Sequence, residues 1–313
     1  MEYTKLGPSS IAVSRLGFGC DQLGLHDWGE TNSNTIQAAI GEALDLGVNF
    51  FDTADCYGKG NSESLLAEAL GKRRHEAVVA TKFGVRFDAE GKTYYDNSST
   101  WLDQALDDSL RRLGTDYIDL YQLHYWDGST AIQDLFGRLE DKVSDGKIRS
   151  YGVTNISVRD HLVGSQPPHL VSFSREMSLA TRTHEVEVKE TAAVHGLTFL
   201  SWGSLGQGIL TGKYSLNNLP SGDDRRSRPT YKNFHGQKLS GNMKLVDKLR
   251  EISRKYPDKS ISQLAVRALL DRFKYAAVLT GVKSSEQIKD NIGATDWALE
   301  QQDLDQLFDE AFF

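Results

Sequence analysis

Short apolar runs recur along this 313-residue chain and alternate with longer stretches in which apolar residues return every three or four positions. The short runs have the composition of β-strands and lie at residues 16–20, 49–54, 77–82, 118–124, 149–155, 170–177, 197–203 and 276–281. Strands that are apolar almost throughout are typical of a parallel sheet covered on both faces.

The longer stretches have the period of amphipathic helices. Apolar residues spaced by three and four run from Ile36 to Leu44, and Gly47 then fits a C-terminal cap. Ser260 and Gln263 have the spacing of a capping box at the start of a later helix. Eight strand–helix units favour a single (β/α)8 barrel domain over residues 1–313, with an open doubly wound sheet as the alternative.

Two segments do not fit the repeating unit. Residues 3–13 precede the first barrel strand, and we expect them to form a small β-hairpin that closes the bottom of the barrel. Residues 214–242 are rich in Gly, Ser, Asn and Arg and predict a long irregular loop after the seventh strand. Loops of this length are usually functional lids or partly disordered.

Charge and composition narrow the possible partners. The net charge of −7 and pI of about 5.7 argue against a nucleic-acid partner, although a local basic pocket could still hold a phosphate. The cysteines, Cys20 and Cys56, form no CxxC motif, so neither a cysteine-based zinc site nor any other metal site is indicated. A polar N-terminus and the lack of a long apolar run predict a cytoplasmic protein without membrane insertion.

In a (β/α)8 barrel the active site lies at the carboxyl ends of the strands. This rule selects Asp52 and Tyr57 after the second strand, Lys82 at the end of the third and His124 at the end of the fourth. A buried lysine needs a partner, and Asp52 is the natural one. We expect the ammonium to lower the pKa of the Tyr57 phenol, which makes a general acid for a carbonyl oxygen. Each residue alone has a structural explanation, but together they favour a catalytic site.

These residues lie in segments that resemble the aldo-keto reductases. The stretch FFDTADCYGKGNSESLLAEAL contains Asp52 and Tyr57, VVATKFG contains Lys82, and LYQLH contains His124. The resemblance covers nearly the whole chain and is strongest to the bacterial-type branch that includes potassium-channel β subunits. It implies that Tyr57 donates a proton, that Lys82 and Asp52 tune it, that His124 orients the substrate carbonyl, and that the nicotinamide of NADP(H) supplies hydride.

The resemblance also implies a cofactor site without a Rossmann motif. Thr154 and Asn155 match residues that hold the carboxamide, and Trp202 matches a ring that stacks on the nicotinamide. Ser174 stands where the family usually has Gln, and Gly203-Ser204 replaces Ser-Pro, which changes the nicotinamide contacts. The whole predicted set is Gly19, Cys20, Asp52, Thr154, Asn155, Ser174, Trp202, Gly203, Ser204, Leu205, Gly206, Gly208, Lys213, Arg228, Gly281, Lys283, Ser284, Gln287 and Asn291.

Within this set, the stretch GSLGQGILTGKY is the expected pyrophosphate loop, because its glycines let backbone N–H groups approach an anion and Lys213 adds charge. Arg228 is the expected clasp over the pyrophosphate. Lys283 and Ser284 suit a 2′-phosphate at a helix N-terminus, which favours NADP over NAD. Gln287 and Asn291 suit the adenine edge. An ordinary capped surface helix is the alternative interpretation of this last segment.

The substrate pocket is expected to involve Trp28, Phe83, Arg86, Tyr125 and Trp126, with core packing as the alternative for each aromatic residue. Tyr94 and Tyr95 lie in a predicted loop and receive little weight. The leading hypothesis is NADPH-dependent reduction of an aldehyde, ketone or keto-sugar. Two alternatives are an NADP(H)-binding module resembling a channel β subunit or redox sensor, and an NADP-assisted epimerase or lyase. The sequence leaves the natural substrate and the oligomeric state open.

Overall fold

A computed structural model describes residues 1–162 and 166–309. In it, parallel strands form a closed barrel in which chain order is spatial order. These strands are β3 (Leu16–Gly19), β4 (Phe50–Asp52), β5 (Val78–Phe83), β8 (Leu120–Leu123), β9 (Tyr151–Thr154), β10 (Leu170–Glu176), β11 (Thr198–Trp202) and β12 (Ala276–Gly281). Each lies within or overlaps one of the predicted runs, so the predicted (β/α)8 barrel is confirmed.

Helices surround the barrel and cover its outer face. They are α1 (Ser33–Asp45), α2 (Asn61–Leu70), α3 (Ser99–Leu113), α4 (Ile132–Ser144), α5 (Val158–His161), α6 (Glu185–His195), α7 (Gly236–Ser253), α8 (Ile261–Arg272), α9 (Ser285–Ile292) and α10 (Gln301–Leu307). The predicted capping box is present, with both reciprocal bonds between Ser260 and Gln263. Within residues 1–162 and 166–309, no helix has the length and apolar character needed to cross a membrane.

The N-terminal hairpin is also present, formed by β1 (Tyr3–Lys5) and β2 (Ala12–Ser14). Thr198, the first residue of β11, accepts a bond from the Gly7 backbone N–H (2.7 Å) and donates to the Lys5 carbonyl (2.8 Å), which fixes the hairpin to the amino end of the barrel. Three apolar side chains of the hairpin segment join the interior cluster of the barrel, namely Leu6, Ile11 and Val13. The hairpin therefore closes the bottom of the barrel.

The loop prediction for residues 214–242 is wrong at its end. The segment contains short 3-10 turns at Arg225–Ser227 and Lys232–Phe234, but α7 already begins at Gly236. Leu239 and Asn242 lie on the buried face of that helix, and the Asn242 amide donates to the Asn233 carbonyl (3.0 Å). The Gly and Ser residues of this stretch do not predict a helix from the sequence, because the helix is stabilised by the tertiary packing of its buried face.

A second hairpin, formed by β6 (Val85–Phe87) and β7 (Thr93–Tyr95), was not predicted. It follows directly after the carboxyl end of β5 and therefore lies at the mouth of the barrel. Its strands are short and β7 is exposed along its length, so no apolar alternation marks it in the sequence.

Candidate active site

The interior of the barrel changes from apolar to charged toward the carboxyl ends of the strands. Side chains of a strand alternate between its two faces, so residues two apart point the same way. On β5, Ala80 belongs to the apolar interior cluster and Lys82 is the next residue on that side. On β4, Asp52 follows Phe50 in the same way. The strands that pack the barrel thus also direct an acid and a base into its mouth.

Lys82 and Asp52 form a buried ion pair. The Lys82 ammonium donates to Asp52 Oδ1 (2.6 Å) and to the Thr53 carbonyl (2.7 Å), and both side chains are less than a tenth exposed. The Gln122 amide donates to the other carboxylate oxygen, Asp52 Oδ2, at 3.1 Å. Gln122 was not predicted as a site residue, although its position two residues after the inward-facing Leu120 is a usable signal.

Tyr57 lies against this ion pair. Lys82 Nζ is 5.1 Å from the centroid of the Tyr57 ring, and the His124 ring meets it edge-on at 5.9 Å. Burial raises the pKa of Tyr57 well above its usual value, and the Asp21 and Asp52 carboxylates raise it further. The expected net lowering of this pKa is therefore wrong, because desolvation and the two carboxylates outweigh the attraction of the Lys82 ammonium for the phenolate. The phenol is protonated at neutral pH.

His124 is a neutral imidazole. Burial lowers its pKa well below 6.5, and the Lys82 ammonium acts in the same direction. Its Nδ1 lies 3.6 Å from the Cys56 sulfur, and its ring stacks on Tyr125 with centroids 5.0 Å apart. A neutral imidazole carries one N–H, so His124 can donate a single hydrogen bond to a ligand in the mouth.

Residues predicted to hold the nicotinamide lie at neighbouring strand ends. The Thr154 hydroxyl and the Trp202 indole nitrogen are buried without a hydrogen-bond partner in the described part of the chain. Asn155 has a left-handed backbone (φ 62°), and its amide donates to the His124 carbonyl at 3.4 Å. The Ser174 hydroxyl donates its hydrogen bond to the Leu200 carbonyl (2.9 Å). Unpartnered donors and acceptors here fit an amide-bearing ligand.

The predicted pyrophosphate loop follows β11. Gly203, Gly206 and Gly208 all have positive φ, between 57° and 100°, which is the region that favours glycine. Leu205 precedes a 3-10 turn over Gly206–Thr211, and the Ser204 hydroxyl bonds back to the Ser201 carbonyl (3.0 Å). The loop thus turns tightly, as a backbone that approaches an anion must.

Three cationic side chains gather beside this loop. Burial lowers the pKa of Lys283 to about 8, with Arg226 and Lys213 contributing, and burial with Arg226 likewise lowers the pKa of Lys213. Arg226 forms an ion pair with Asp224 (2.5 Å). Close cations of this kind create a local positive electrostatic potential. A bound phosphate would be attracted by this potential and would reduce the repulsion between the cations.

Arg226 was not among the predicted cofactor residues. The predicted clasp, Arg228, lies two residues further on, is 55% exposed and pairs with Asp27 at 2.5 Å. The Lys283 ammonium donates to the carbonyls of Trp28 and Glu30, the latter at 3.1 Å. This contact ties the segment around residue 28 to the predicted 2′-phosphate residue.

The remaining predicted cofactor residues lie at the same end. Gly19 and Gly281 are paired neighbours at the ends of β3 and β12, and the Cys20 backbone N–H donates to the Asp52 carbonyl (2.8 Å). At α9, Ser284 is the N-cap and accepts from the Gln287 N–H (3.4 Å), while Gln287 accepts from the Lys283 N–H (2.8 Å). The Asn291 amide is buried and donates to the Thr280 hydroxyl (3.1 Å).

An aromatic stack borders the mouth. Tyr125 lies between His124 and Tyr95, with ring centroids 5.0 Å apart on each side. Tyr95 was given little weight in the sequence because its loop position hid the β7 pairing that brings it here. Trp28 is buried, and its indole N–H donates to Asp21 (2.9 Å). Arg86 pairs with Asp96 (2.6 Å), and its guanidinium lies 4.1 Å from the Trp101 ring centroid.

Phe83 was wrongly predicted as a substrate residue. It follows the inward-facing Lys82 and so points outward, where it is fully buried and stacks on Tyr121 with centroids 4.9 Å apart. Trp126 packs against the His161 ring (4.6 Å between centroids), and its indole N–H donates to the Thr130 carbonyl (2.8 Å).

The chain thus forms a closed barrel with a buried, charged site at its mouth, and comparison with known proteins identifies its family. Residues 15–309 match the Aldo/keto reductase family. The chain is 32% identical to the uncharacterized oxidoreductase YqkF of Bacillus subtilis, over 94% of this chain and 91% of that one. It is 33% identical to the NADP(+) aldo-keto reductase yakc of Schizosaccharomyces pombe, over 93% and 85%.

Among solved structures, a glycerol dehydrogenase from Gluconobacter oxydans superposes with a TM-score of 0.88 at 29% identity, covering 97% of this chain and 94% of that one. The chain belongs to the aldo/keto reductase family and is an oxidoreductase of that family.

Proposed function

We propose that this protein reduces the carbonyl group of a small molecule with NADPH, with Tyr57 as the proton donor. The observation that carries the proposal is the buried Tyr57 phenol, which lies against the Lys82–Asp52 ion pair and the ring of His124. A general acid must be protonated before it acts, and a phenol meets this condition at neutral pH even at its ordinary pKa of about 10. Burial raises the pKa of Tyr57 further, so the Lys82 ammonium is needed to stabilise the phenolate that forms.

When bound, NADPH supplies hydride to the carbonyl carbon. The protein residues manage the charge on the oxygen. The Tyr57 hydroxyl donates its proton to that oxygen, and the Lys82 ammonium, 5.1 Å from the ring, stabilises the phenolate left behind. The single N–H of neutral His124 donates to the same oxygen and orients the carbonyl. Asp52 and Gln122 hold Lys82 in place.

Two observations support NADP(H) as the cofactor. The unpartnered Thr154 hydroxyl and Trp202 indole nitrogen suit a carboxamide, and the Arg226, Lys213 and Lys283 group suits phosphate. A relative of 33% identity is named for NADP(+). The aromatic stack at Tyr125 and Tyr95 favours flat or sugar-like substrates, and the similar glycerol dehydrogenase makes small hydroxylated aldehydes and ketones a sensible first panel.

The acid assignment is tested with Tyr57→Phe, which removes only the hydroxyl. Turnover of NADPH with the best carbonyl compound of the panel should fall by roughly 10²- to 10⁴-fold, because the proton donor is lost. Binding of NADPH, followed by fluorescence titration, should be retained. Tyr275→Phe is the matched control, since Tyr275 is 63% exposed and should keep full turnover. Full activity in Tyr57→Phe would show that another group donates the proton.

Cofactor choice is tested with Lys283→Ala. A charged hydrogen bond contributes about 1.5–3 kcal/mol, so the dissociation constant of NADPH should rise roughly 10- to 100-fold while that of NADH changes little. The matched control is Lys289→Ala on α9, the helix that begins just after Lys283, because Lys289 pairs with Glu42 at 3.2 Å and is 57% exposed. Equal weakening of both cofactors would remove the 2′-phosphate role of Lys283.

A further inference from the structure

Three side chains beside Tyr57 have no assigned role as a group. Asp55 and Cys56 follow β4, His124 follows β8, and their ligand atoms all lie within 4.8 Å of one another. We propose that Asp55, Cys56 and His124 form a zinc-binding site at the mouth of the barrel, and that bound zinc inhibits the enzyme. The inhibitory consequence rests on the function proposed above, whereas the binding does not.

One ligand pair already has the spacing of tetrahedral zinc. With a Zn–S bond of about 2.3 Å and a Zn–N bond of about 2.0–2.1 Å, a tetrahedral angle sets the sulfur and nitrogen about 3.6 Å apart. The Cys56 sulfur and His124 Nδ1 are 3.6 Å apart in a hydrogen bond that the ion would replace. The Asp55 carboxylate oxygen lies within 4.8 Å of both and would move closer to make the third ligand. Three protein ligands leave the fourth position for water.

Asp55 would bind the ion as a carboxylate, so its carboxyl group gives up a proton on binding. Its Oδ1 is buried and has no hydrogen-bond partner in residues 1–162 and 166–309. A buried oxygen without a partner is costly, and coordination would satisfy it. The thiol of Cys56 would lose its proton on binding, as a coordinating thiol does. A set of N, S and O donors suits zinc, whereas magnesium and calcium require oxygen ligands.

The surrounding charges permit a divalent cation. Two cations, Arg112 and Lys82, affect the charge state of Asp55. Arg112 is paired with Glu63 and Lys82 with Asp52, each at 2.6 Å. The ion would therefore have two neutralised ion pairs and the unpartnered oxygen of Asp55 as its neighbours. The ligands come from separate strand ends, which is why no metal-binding spacing appears in the sequence.

Bound zinc would oppose catalysis through His124. It would fix the ring and occupy Nδ1, so the imidazole could no longer adjust to the substrate carbonyl. The zinc charge next to Tyr57, the residue that follows Cys56, would itself favour the phenolate, so loss of carbonyl positioning is the expected cause of inhibition.

Binding is tested first, without any activity measurement. Chelator-treated protein is titrated with Co²⁺ as a spectroscopic probe for zinc. We expect one equivalent per chain with a thiolate-to-cobalt charge-transfer band, and competition by Zn²⁺ should remove the band. Cys56→Ala should abolish it, while Cys20→Ala should keep it, because the Cys20 thiol is fully buried and bonds to the Phe18 carbonyl.

The affinity for Zn²⁺ is then measured by competition with a chromophoric chelator. Loss of a residue that merely orients a ligand costs 10- to 100-fold in metal affinity, so Cys56→Ala, which removes a ligand, should cost at least about 100-fold. Asp55→Asn should weaken binding by a smaller factor. Absence of the charge-transfer band, or equal Zn²⁺ affinity in wild type and Cys56→Ala, would overturn the proposed site.

Inhibition is tested last. Zn²⁺ should abolish carbonyl reduction in the wild type and EDTA should restore it, whereas Cys56→Ala should keep its own metal-free rate at the same Zn²⁺ concentration. If the band forms but Zn²⁺ leaves the rate unchanged, the inhibitory role is wrong and the site stands. If no carbonyl compound is reduced, the function proposed above fails, and the cobalt titration still decides the metal site.

Discussion

The same strands build both halves of the barrel interior, but one half is apolar and the other is polar and charged. Toward the amino ends, Phe50, Val78 and Leu120 pack with the N-terminal hairpin into an apolar cluster. Toward the carboxyl ends, the next inward positions on β4 and β8 are Asp52 and Gln122. One half is closed by a hairpin and the other opens to ligands, although both are made from residues two positions apart.

This difference shows how the fold separates stability from function. The apolar layer is covered by the hairpin and can be optimised for packing, whereas the mouth contains a buried ion pair that is costly to desolvate. Side chains alternate along each strand, so the strand register fixes which of them point inward. A charged residue at the last inward position therefore reaches the mouth without disturbing the apolar layers below it. Substitutions in the two halves should therefore have different signatures.

The largest effect is expected from Lys82→Met. It leaves the Asp52 carboxylate buried without its cation, and breaking a buried pair in this way costs about 3–5 kcal/mol. The free energy of unfolding, measured with urea, should fall by this amount, and carbonyl reduction should be lost as well. Only a substitution in the mouth is expected to lower both the free energy of unfolding and the rate of carbonyl reduction.

The double variant Lys82→Met with Asp52→Leu separates the two losses. Replacing a buried ion pair by apolar residues of similar volume is often neutral or stabilising, so the free energy of unfolding should largely recover. Carbonyl reduction should remain lost. A single variant as stable as the wild type would mean that the ion pair is not buried in solution.

A smaller and purely structural effect is expected from Leu120→Ala. Leu120 is fully buried in the apolar half, and leucine-to-alanine changes in cores cost about 2–5 kcal/mol. Turnover per folded molecule should be unchanged at a temperature where both proteins are folded, because Leu120 lies below Gln122 on the same strand. Urea unfolding and steady-state rates measure the two quantities.

A large fall in turnover for Leu120→Ala would contradict the division into halves. It would show that the cavity left by the missing methyl groups displaces Gln122 or Asp52. The comparison with Lys82→Met is therefore direct, because both variants lose stability and only one should lose its rate.

The same division explains what the sequence could reveal. All barrel strands were predicted because continuous apolar runs mark strands that are buried on both faces. The β6–β7 hairpin and the start of α7 were not predicted. Strand β7 is exposed and α7 begins at a glycine, so neither has an apolar pattern that marks it in the sequence. Local pattern carries little information about elements of that kind.

For the candidate site, the predicted strand ends and the motifs around them were enough to predict that Asp52, Tyr57, Lys82 and His124 lie close together. The sequence could not give the direction of the Tyr57 pKa, which depends on burial, nor the outward orientation of Phe83 without an assigned register. It also could not show that Arg226 is buried and Arg228 exposed, because residues of an irregular loop differ in burial only once the loop is folded.

A further effect, which appears only as the pH changes, concerns Asp55, whose carboxyl group is close enough to Glu63, Arg112 and Lys82 to be affected by their charges. Burial raises the pKa of Asp55 to about 8, and the Glu63 carboxylate adds to the shift. An unfolded aspartate has a pKa near 3.9, so between about pH 4 and pH 8 the folded state holds a proton that the unfolded state has released. The resulting stability is fully present below pH 4 and is lost as the pH rises through 8.

Asp55→Asn cannot ionise and so should not show this loss. The free energy of unfolding of the wild type, minus that of the variant, should decrease steadily between pH 5 and pH 8 in buffers that contain a chelator. The lowered pKa of His124, caused by burial, makes stability fall below about pH 6.5, but both proteins share this effect and the difference removes it. Asp116→Asn is the control, because Asp116 is exposed and its difference should be flat. A flat difference for Asp55→Asn would mean that Asp55 is ionised in the folded protein, with water reaching the oxygen that the structure leaves unpartnered.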